Sequence, residues 1–300
     1  MKRFTKGARV CFVGDSITAA NGYLSHIASF YRRNFKDDGV KFFNCGVAGG
    51  ALLNTINTYD IDIALYNPTH IVLTIGVNDS ERSALLNKKS KERYDILNNA
   101  YENFKLTVKS FYRLTKEKGV ELIICTPPPC AEYQENAVGS LPGSYALMLG
   151  YANFFRDFAK ENGLALCDYH RELCRLIECE TLFRADTVHP NEKGHLEMAR
   201  IFLQSQGLTL DSEEIEEGLT EWRELTAKLR RLYTTQYLAL PEEHYKLNES
   251  ELIERMKERL VEISEGRVKS YATPDAINEY LKQRDKLSDY VSKIILEMEN

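Results

Sequence analysis

Five short apolar runs alternate with longer polar and amphipathic segments over the first two-thirds of the chain. These runs are predicted strands at residues 8–13, 40–44, 70–75, 120–125 and 164–167. Strands that are apolar along their whole length and separated by helices indicate a parallel sheet with helices on both faces. In such sheets, ligands bind at the carboxyl ends of the strands. The alternation therefore predicts an α/β domain. It also predicts that the functional site lies at the edge of the sheet formed by the carboxyl ends of the strands.

Three segments between or after the strands have helical periodicity. Residues 94–111 carry apolar side chains at three- and four-residue spacing, which is typical of a helix with one buried face. Residues 145–160 form a second predicted helix, which ends near Asn162 and Gly163. Residues 192–204 form a third.

The pattern changes near residue 207. Beyond residue 211 no strand is predicted, whereas apolar residues keep helical spacing and Thr273-Pro274 forms a favourable helix start. We therefore predict an α/β domain at residues 1–206 and a C-terminal helical extension of about three helices at residues 207–300. The extension either packs on the α/β domain or forms the surface of a homodimer.

Composition argues against several classes of protein. The net charge is −5, with 39 Lys and Arg against 44 Asp and Glu, so a dedicated nucleic-acid-binding protein is not expected. No run approaches the roughly 18–20 apolar residues of a membrane span, and the apolar run after the basic N-terminus is too short for a signal peptide.

Four of the seven cysteines lie in or beside apolar runs, and none forms a CxxC pair. We therefore predict buried, reduced thiols and a cytoplasmic location.

Polar residues cluster at the ends of three predicted strands and in one later segment. The four motifs are Gly14-Asp15-Ser16, residues 44–50 (NCGVAGG), Gly76-Val77-Asn78-Asp79 and residues 186–191 (DTVHPN). The first three meet at one edge of the predicted sheet, and the fourth lies on a loop within reach of that edge.

These motifs contain the parts of a hydrolase that uses a hydroxyl nucleophile. Ser16 lies at a strand-to-helix turn, where its hydroxyl is exposed, and His189 is the candidate base. Asp186 precedes His189 by three residues and is placed to orient its imidazole ring. The N–H groups of Ser16 and Gly49 and the side-chain amide of Asn78 are candidate donors of an oxyanion hole.

The ordered set of motifs resembles the SGNH (GDSL) hydrolase family over residues 8–205. The family's motif residues correspond to Ser16, Gly49 (with Gly46 as the alternative register), Asn78, Asp186 and His189. The resemblance implies a flavodoxin-like three-layer α/β/α domain with a five-stranded parallel sheet. It also implies serine-dependent ester hydrolysis that needs neither a metal nor a cofactor. It does not extend to residues 207–300.

The residues and the resemblance together predict a serine esterase, in particular an acetylesterase that acts on a carbohydrate or a small metabolite. A lysophospholipase, a thioesterase or an acyltransferase of the same family remains an alternative. A metal-dependent phosphoesterase is an alternative of another class, and a scaffold protein that works through its C-terminal helices is a third. The phosphoesterase would take its ligands from Asp15, Asn78, Asp79, Asp186 and His189.

A long connection at residues 127–143 follows the fourth predicted strand on the catalytic side. We expect it to form a lip beside the substrate, because it exceeds the usual length of such connections. Four tyrosines are candidates either for stacking on sugar rings or for core packing, namely Tyr23, Tyr133, Tyr145 and Tyr151.

Overall fold

The computed structural model describes residues 1–135 and 137–215, which fold around a five-stranded, fully parallel sheet. The strands are β1 (Arg9–Gly14), β2 (Lys41–Gly46), β3 (His70–Thr74), β4 (Glu121–Cys125) and β5 (Ala165–Cys167). Their order across the sheet is β2-β1-β3-β4-β5. All five predicted strands and the parallel arrangement are therefore confirmed.

Helices cover the sheet. They are α1 (Ser16–Ala19), α2 (Gly22–Asn34), α3 (Leu52–Asn57), α4 (Tyr59–Asp62), α5 (Ser90–Glu117), α6 (Ser144–Asn162), α7 (Tyr169–Leu176) and α8 (Glu192–Ser205). Short 3₁₀ turns lie at Lys36–Asp38, Ala64–Tyr66 and Arg82–Leu86. The three helices predicted from periodicity correspond to α5, α6 and α8.

The two faces of the sheet bury different helices, because neighbouring side chains of a strand point in opposite directions. On β1, the ring of Phe12 packs against Tyr23 of α2 and Phe202 of α8, with ring centroids 5.9 and 5.4 Å away. On the other side, Phe104 of α5 packs against Phe155 of α6 at 5.3 Å. The fold is therefore the predicted three-layer α/β/α arrangement.

The sheet interior is apolar and contains thiols. Five cysteines are free and buried, namely Cys11, Cys45, Cys125, Cys130 and Cys167. The prediction of buried, reduced thiols is confirmed for these five, whereas Cys174 is half-buried and Cys179 is exposed. Among residues 1–135 and 137–215, no helix is long and apolar enough to cross a bilayer.

The sheet order places three of the sequence motifs together. The chain passes from β1 to β2 on one side and then to β3 on the other side of β1, so the order reverses between β1 and β3. Ligands bind at such reversal points in open α/β sheets. Ser16 follows β1 as the first residue of α1, and the loops that follow β2 and β3 carry Gly49 and Asn78.

The helical extension predicted for residues 207–300 lies outside the described residues from position 216 onward. The segment at residues 211–215 is described, and it contacts α2. Arg33 Nη2 lies 3.1 Å from Asp211 Oδ1, and Asn34 Nδ2 donates to Asp211 Oδ2 at 2.8 Å.

Candidate active site

A sharp turn at the end of β1 presents Ser16. The Asp15 carboxylate caps the short helix α1, since the Ile17 N–H donates to Asp15 Oδ1 at 2.9 Å. A side chain at Gly14 has no room, because a Cβ there would lie 2.5 Å from the Thr74 carbonyl oxygen. Close packing of the turn against β3 thus requires glycine at this position.

Ser16, His189 and Asp186 form one continuous hydrogen-bonded chain. Ser16 Oγ lies 2.8 Å from His189 Nε2, and His189 Nδ1 lies 2.7 Å from Asp186 Oδ2. An imidazole that carries its proton on Nδ1 donates to Asp186 and accepts the serine proton at Nε2. The structure therefore brings together the three residues that were predicted as nucleophile, base and orienting acid.

The two oxygens of Asp186 have different partners. Oδ2 faces the imidazole, whereas Oδ1 accepts the N–H groups of Val188 and His189 at 3.0 and 2.9 Å. Partial burial raises the pKa of Asp186, but these hydrogen bonds outweigh it, so the pKa lies below its ordinary value. The carboxylate is therefore charged at neutral pH, and a charged carboxylate stabilises the imidazolium that forms when His189 takes a proton.

Asp186 and His189 lie on an acid–base loop, which we define as residues 184–190. The loop closes on itself, since the Arg184 N–H donates to the His189 carbonyl at 2.8 Å and the Thr187 N–H donates to the Arg184 carbonyl at 2.9 Å. Thr187 has a left-handed backbone with φ of 66°, which is unfavourable for a β-branched residue. The surrounding hydrogen bonds hold this conformation in place.

Helix α8 begins directly after the acid–base loop. Asn191 caps it by accepting the Gly194 N–H at 2.9 Å, and the Asn191 amide also donates to the Thr181 carbonyl at 2.8 Å. A Cβ at Gly194 would lie 2.1 Å from the Leu182 carbonyl oxygen, so glycine permits this close approach. The HPN…G sequence therefore joins the acid–base loop to the packed body of the domain.

Gly49, rather than Gly46, has an N–H group that is free to donate. The Gly46 N–H donates to Asn44 Oδ1 at 2.9 Å, and a Cβ at Gly46 would lie 2.3 Å from the Ala19 nitrogen. Gly49 is exposed with φ of 73°, and no hydrogen bond of the described residues uses its N–H. Gly46 is thus a packing position, and the geometry favours Gly49 as the oxyanion donor.

Asn78 lies on the loop after β3 and contacts the loop after β2. Its Nδ2 donates to the Gly50 carbonyl at 2.9 Å. An amide nitrogen has two hydrogens, so one remains for a substrate oxygen. The three predicted donors therefore follow three neighbouring strands, β1, β2 and β3.

Two buried carboxyl groups lie beside this site. Burial raises the pKa of both Asp15 and Asp79 to about 6, and the negative charge of Asp79 contributes to the shift at Asp15. From the sequence, Asp79 was considered only as a motif residue beside Asn78 and as a candidate metal ligand of the alternative phosphoesterase. Its contacts, described below, were not visible in the sequence because they depend on a loop that lies 27 residues away.

The lip at residues 127–143 lies along the acid–base loop. The Ala131 N–H donates to the Thr187 carbonyl at 2.8 Å, and the Val138 N–H donates to the Ala185 carbonyl at 2.7 Å. Gln134 Nε2 adds a side-chain bond to the Arg184 carbonyl at 2.7 Å. The lip is therefore bonded to the loop that carries His189.

The four candidate tyrosines divide into two pairs. Tyr23 and Tyr151 are fully buried, so the core-packing alternative holds for them and they are not available to substrate. Tyr133 is 83% exposed, and its ring centroid is 6.5 Å from that of Tyr145. Tyr133 therefore lies on the lip, and Tyr145 lies beside it at the start of α6.

The other histidine near the site has a packing role. His195 is buried against Tyr23, with ring centroids 6.2 Å apart, and burial lowers the pKa of His195 to about 4. Within the described ranges, no group of three or more His, Cys, Asp or Glu residues is arranged to hold a metal ion. The side chains of Asp15, Asp79 and Asp186 each accept backbone N–H groups.

Known proteins share this fold. An acetylxylan esterase from Geobacillus stearothermophilus is 22% identical over 220 residues, which are 67% of this chain and 94% of that protein. A solved structure of a catalytic mutant of that esterase has a TM-score of 0.58 at 21% identity and covers 70% of this chain and 98% of that chain.

Two further solved structures are similar. A gut microbial diltiazem-metabolizing enzyme has a TM-score of 0.58 at 26% identity, covering 69% of this chain but only 48% of that one. LAE5, an alpha/beta hydrolase enzyme from the metagenome of Lake Arreo, Spain, has a TM-score of 0.57 at 22% identity, covering 70% and 99%. These likenesses bear on the fold of the α/β domain.

A match to a protein-family model shows which family the chain belongs to. The model of GDSL-like lipases and acylhydrolases matches residues 10–202, which run from β1 into α8 and include all four motifs. The expected resemblance is therefore confirmed. The chain belongs to the GDSL-like lipase/acylhydrolase family and is a carboxylic ester hydrolase.

Proposed function

We propose that the protein hydrolyses acyl esters through a catalytic triad of Ser16, His189 and Asp186. The observation that carries this proposal is the unbroken chain of contacts, 2.8 Å from Ser16 Oγ to His189 Nε2 and 2.7 Å from His189 Nδ1 to Asp186. A serine hydroxyl is a weak nucleophile unless a base takes its proton, and the contacts supply that base and the acid that orients it.

The reaction proceeds in two halves. Ser16 Oγ attacks the ester carbonyl while His189 Nε2 takes the hydroxyl proton, and the resulting oxyanion accepts hydrogen bonds from the Ser16 N–H, the Gly49 N–H and Asn78. His189 then donates its proton to the leaving alcohol, which leaves an acyl group on Ser16. Water, deprotonated by His189, attacks the acyl-enzyme, and the acid is released as Ser16 regains its proton.

We propose that the natural substrate is an acetyl ester of a carbohydrate or of a small metabolite. The matched relative is named for acetylxylan, and the match covers 94% of its length. The exposed ring of Tyr133 on the lip, beside Tyr145 of α6, provides an apolar surface of the kind on which sugar rings stack. A lysophospholipase or a thioesterase of the same family is the alternative that the experiment below distinguishes.

Variants of the acetylxylan esterase support the proposed roles. Solved catalytic mutants of that protein replace a serine, an aspartate or a histidine, with the aspartate three positions before the histidine. Asp186 precedes His189 by the same interval.

We also propose that the protein acts in the cytoplasm, since buried free thiols suit a reducing compartment.

The test is a panel of ester substrates with a Ser16→Ala control. We expect the wild-type protein to cleave acetylated sugars faster than acyl-CoA thioesters and lysophospholipids, and the Ser16→Ala variant to cleave none of them. A fluorophosphonate should label the wild-type protein and not the variant. Labelling that persists in Ser16→Ala would exclude Ser16 as the nucleophile, and equal rates up to long acyl chains would exclude a dedicated acetylesterase.

A further inference from the structure

Asp79 joins the loop after β3 to the loop after β2. Its Oδ1 accepts the Leu52 N–H at 2.9 Å, while its second oxygen, Oδ2, is buried and has no hydrogen-bond partner in the described part of the chain. Leu52 is the first residue of α3, so its N–H has no acceptor within that helix. The carboxyl group supplies that acceptor from a different segment of the chain.

Gly49 lies three residues before Leu52, in the same loop after β2. We define residues 47–52 as the oxyanion loop. Inside it, the Gly50 N–H donates to the Val47 carbonyl at 2.9 Å, which closes a tight turn around the left-handed Gly49. Asn78 binds the Gly50 carbonyl on one side of the turn, and Asp79 binds the Leu52 N–H at its end. Two consecutive residues thus hold the loop at two points.

The anchor at Asp79 is itself attached to the core. The Tyr151 hydroxyl donates to the Asp79 carbonyl at 3.4 Å, and the fully buried Tyr151 ring packs against Phe104 with centroids 4.7 Å apart. Helices α5 and α6 therefore support the residue that supports the oxyanion loop. Rotamers that are locked by such packing hold a site more closely than loop contacts alone.

We propose that Asp79 is a positioning residue, which sets the direction of the Gly49 N–H through its hydrogen bond to Leu52. This inference rests on the proposed oxyanion hole. Asp79 touches no reacting atom in this scheme, because its carboxyl group binds the N–H of Leu52, three residues beyond Gly49. Misdirecting one oxyanion donor weakens binding to the transition state more than to the ester in its ground state, so the effect falls on kcat.

Three variants separate this role from others, with 4-nitrophenyl acetate as the probe. Asp79→Ala and Asp79→Leu remove the acceptor, and the leucine also fills the buried space. Asp79→Asn keeps an oxygen for the Leu52 N–H but removes the charge. We expect kcat to fall about 10- to 100-fold in the Ala and Leu variants with KM within twofold, and Asn to restore kcat to within about threefold of wild type.

Controls separate failure of this inference from failure of the proposed function. Asp37→Ala replaces an exposed aspartate in the turn before β2, and its kcat should equal that of wild type. If wild type does not cleave the probe, or Ser16→Ala still does, the proposed function fails. If both behave as expected, wild-type kcat in the folded Ala or Leu variant overturns the role of Asp79 alone. The proposed role of Asp79 is also overturned if kcat falls as far in Asp79→Asn as in Asp79→Ala. It is overturned as well if neither Asp79→Ala nor Asp79→Leu folds.

Discussion

At the scale of single residues, the Asn78 amide serves two acceptors. One is the Gly50 carbonyl at 2.9 Å, and the other in our proposal is the substrate oxyanion. We expect Asn78→Ala to lower kcat by roughly 10²–10³-fold, the usual effect of removing one such donor. Steady-state kinetics on 4-nitrophenyl acetate measures it, with Asn54→Ala, an exposed asparagine on α3, as the matched control. A kcat within twofold of wild type would remove Asn78 from the oxyanion hole.

The buried Asp15 side chain makes the free energy of unfolding fall as the pH rises. Burial raises its pKa to about 6, so between about pH 4 and pH 6 the folded protein binds more protons at Asp15 than the unfolded chain does. The stability that Asp15 contributes is therefore full below pH 4 and is lost as the pH rises through 6. Asp15→Asn keeps an acceptor for the Ile17 N–H and does not titrate.

We therefore expect the free energy of unfolding of Asp15→Asn, relative to wild type, to rise by roughly 2 kcal/mol between pH 4.5 and pH 7.5. Urea unfolding of both proteins at the two pH values measures the difference. A difference that does not change with pH would show that Asp15 has the same pKa in the folded and unfolded states. Comparing the two proteins at each pH cancels the contributions of His170 and His195, whose pKa values burial lowers to about 4.

The sequence identifies the chemical residues better than it identifies their supports. Ser16, Asp186 and His189 could be predicted because a triad needs these residue types, in motifs that end neighbouring strands or lie within reach of them. The choice between Gly46 and Gly49 needed the hydrogen bond that occupies the Gly46 N–H. The link from Asp79 to Leu52 leaves no local pattern at all, since it joins two loops that only the folded sheet brings together.

At the scale of elements, the lip at residues 127–143 is hydrogen-bonded to the acid–base loop. Gln134 is the side chain that joins them, through the Arg184 carbonyl at 2.7 Å. We expect Gln134→Ala to lower kcat by roughly three- to tenfold, because a small displacement of His189 lengthens its contact with Ser16. The adjacent, exposed Glu135 provides the control variant Glu135→Ala. Equal kcat values for the two variants would show that the Gln134 bond does not affect the triad.

Elements with a simple burial pattern could be predicted, and those without one could not. Each of the five strands contains a short apolar run, and α5 keeps one apolar face over 28 residues. Helix α2 was not predicted, because eight of its 13 residues are buried and the polar side chains of Ser25 and Ser29 are among them. Tyr23 belongs to this buried helix. Its ring packs between Phe12 of β1 and His195 of α8, so it is not available to stack on a sugar.

At the scale of the whole molecule, the end of the α/β domain can be placed from contacts. The predicted boundary at residue 206 lies just after α8, but Asp211 still binds Arg33 and Asn34 of α2. We therefore propose that the domain extends through residue 215. A fragment of residues 1–215 should unfold at a higher temperature than a fragment of residues 1–206, by several degrees for each kcal/mol of lost contacts. Thermal unfolding measures this, and equal midpoints would support the earlier boundary.

The same fragments address the role of residues 216–300. We propose that this segment either forms a homodimer surface or packs on the α/β domain. Light scattering on the full chain and on residues 1–215 distinguishes the two: a dimer that becomes a monomer on truncation indicates assembly, whereas two monomers indicate packing.

Ser16 and His189 are separated by 173 positions, although their side chains touch. A ribosome therefore completes the nucleophile near the start of synthesis and the base near the end of the α/β domain. Throughout most of translation, the growing chain therefore has Ser16 without the base of the proposed triad. In the proposed mechanism, a chain that ends between the two positions also lacks this base, so hydrolysis requires a chain that extends at least through His189.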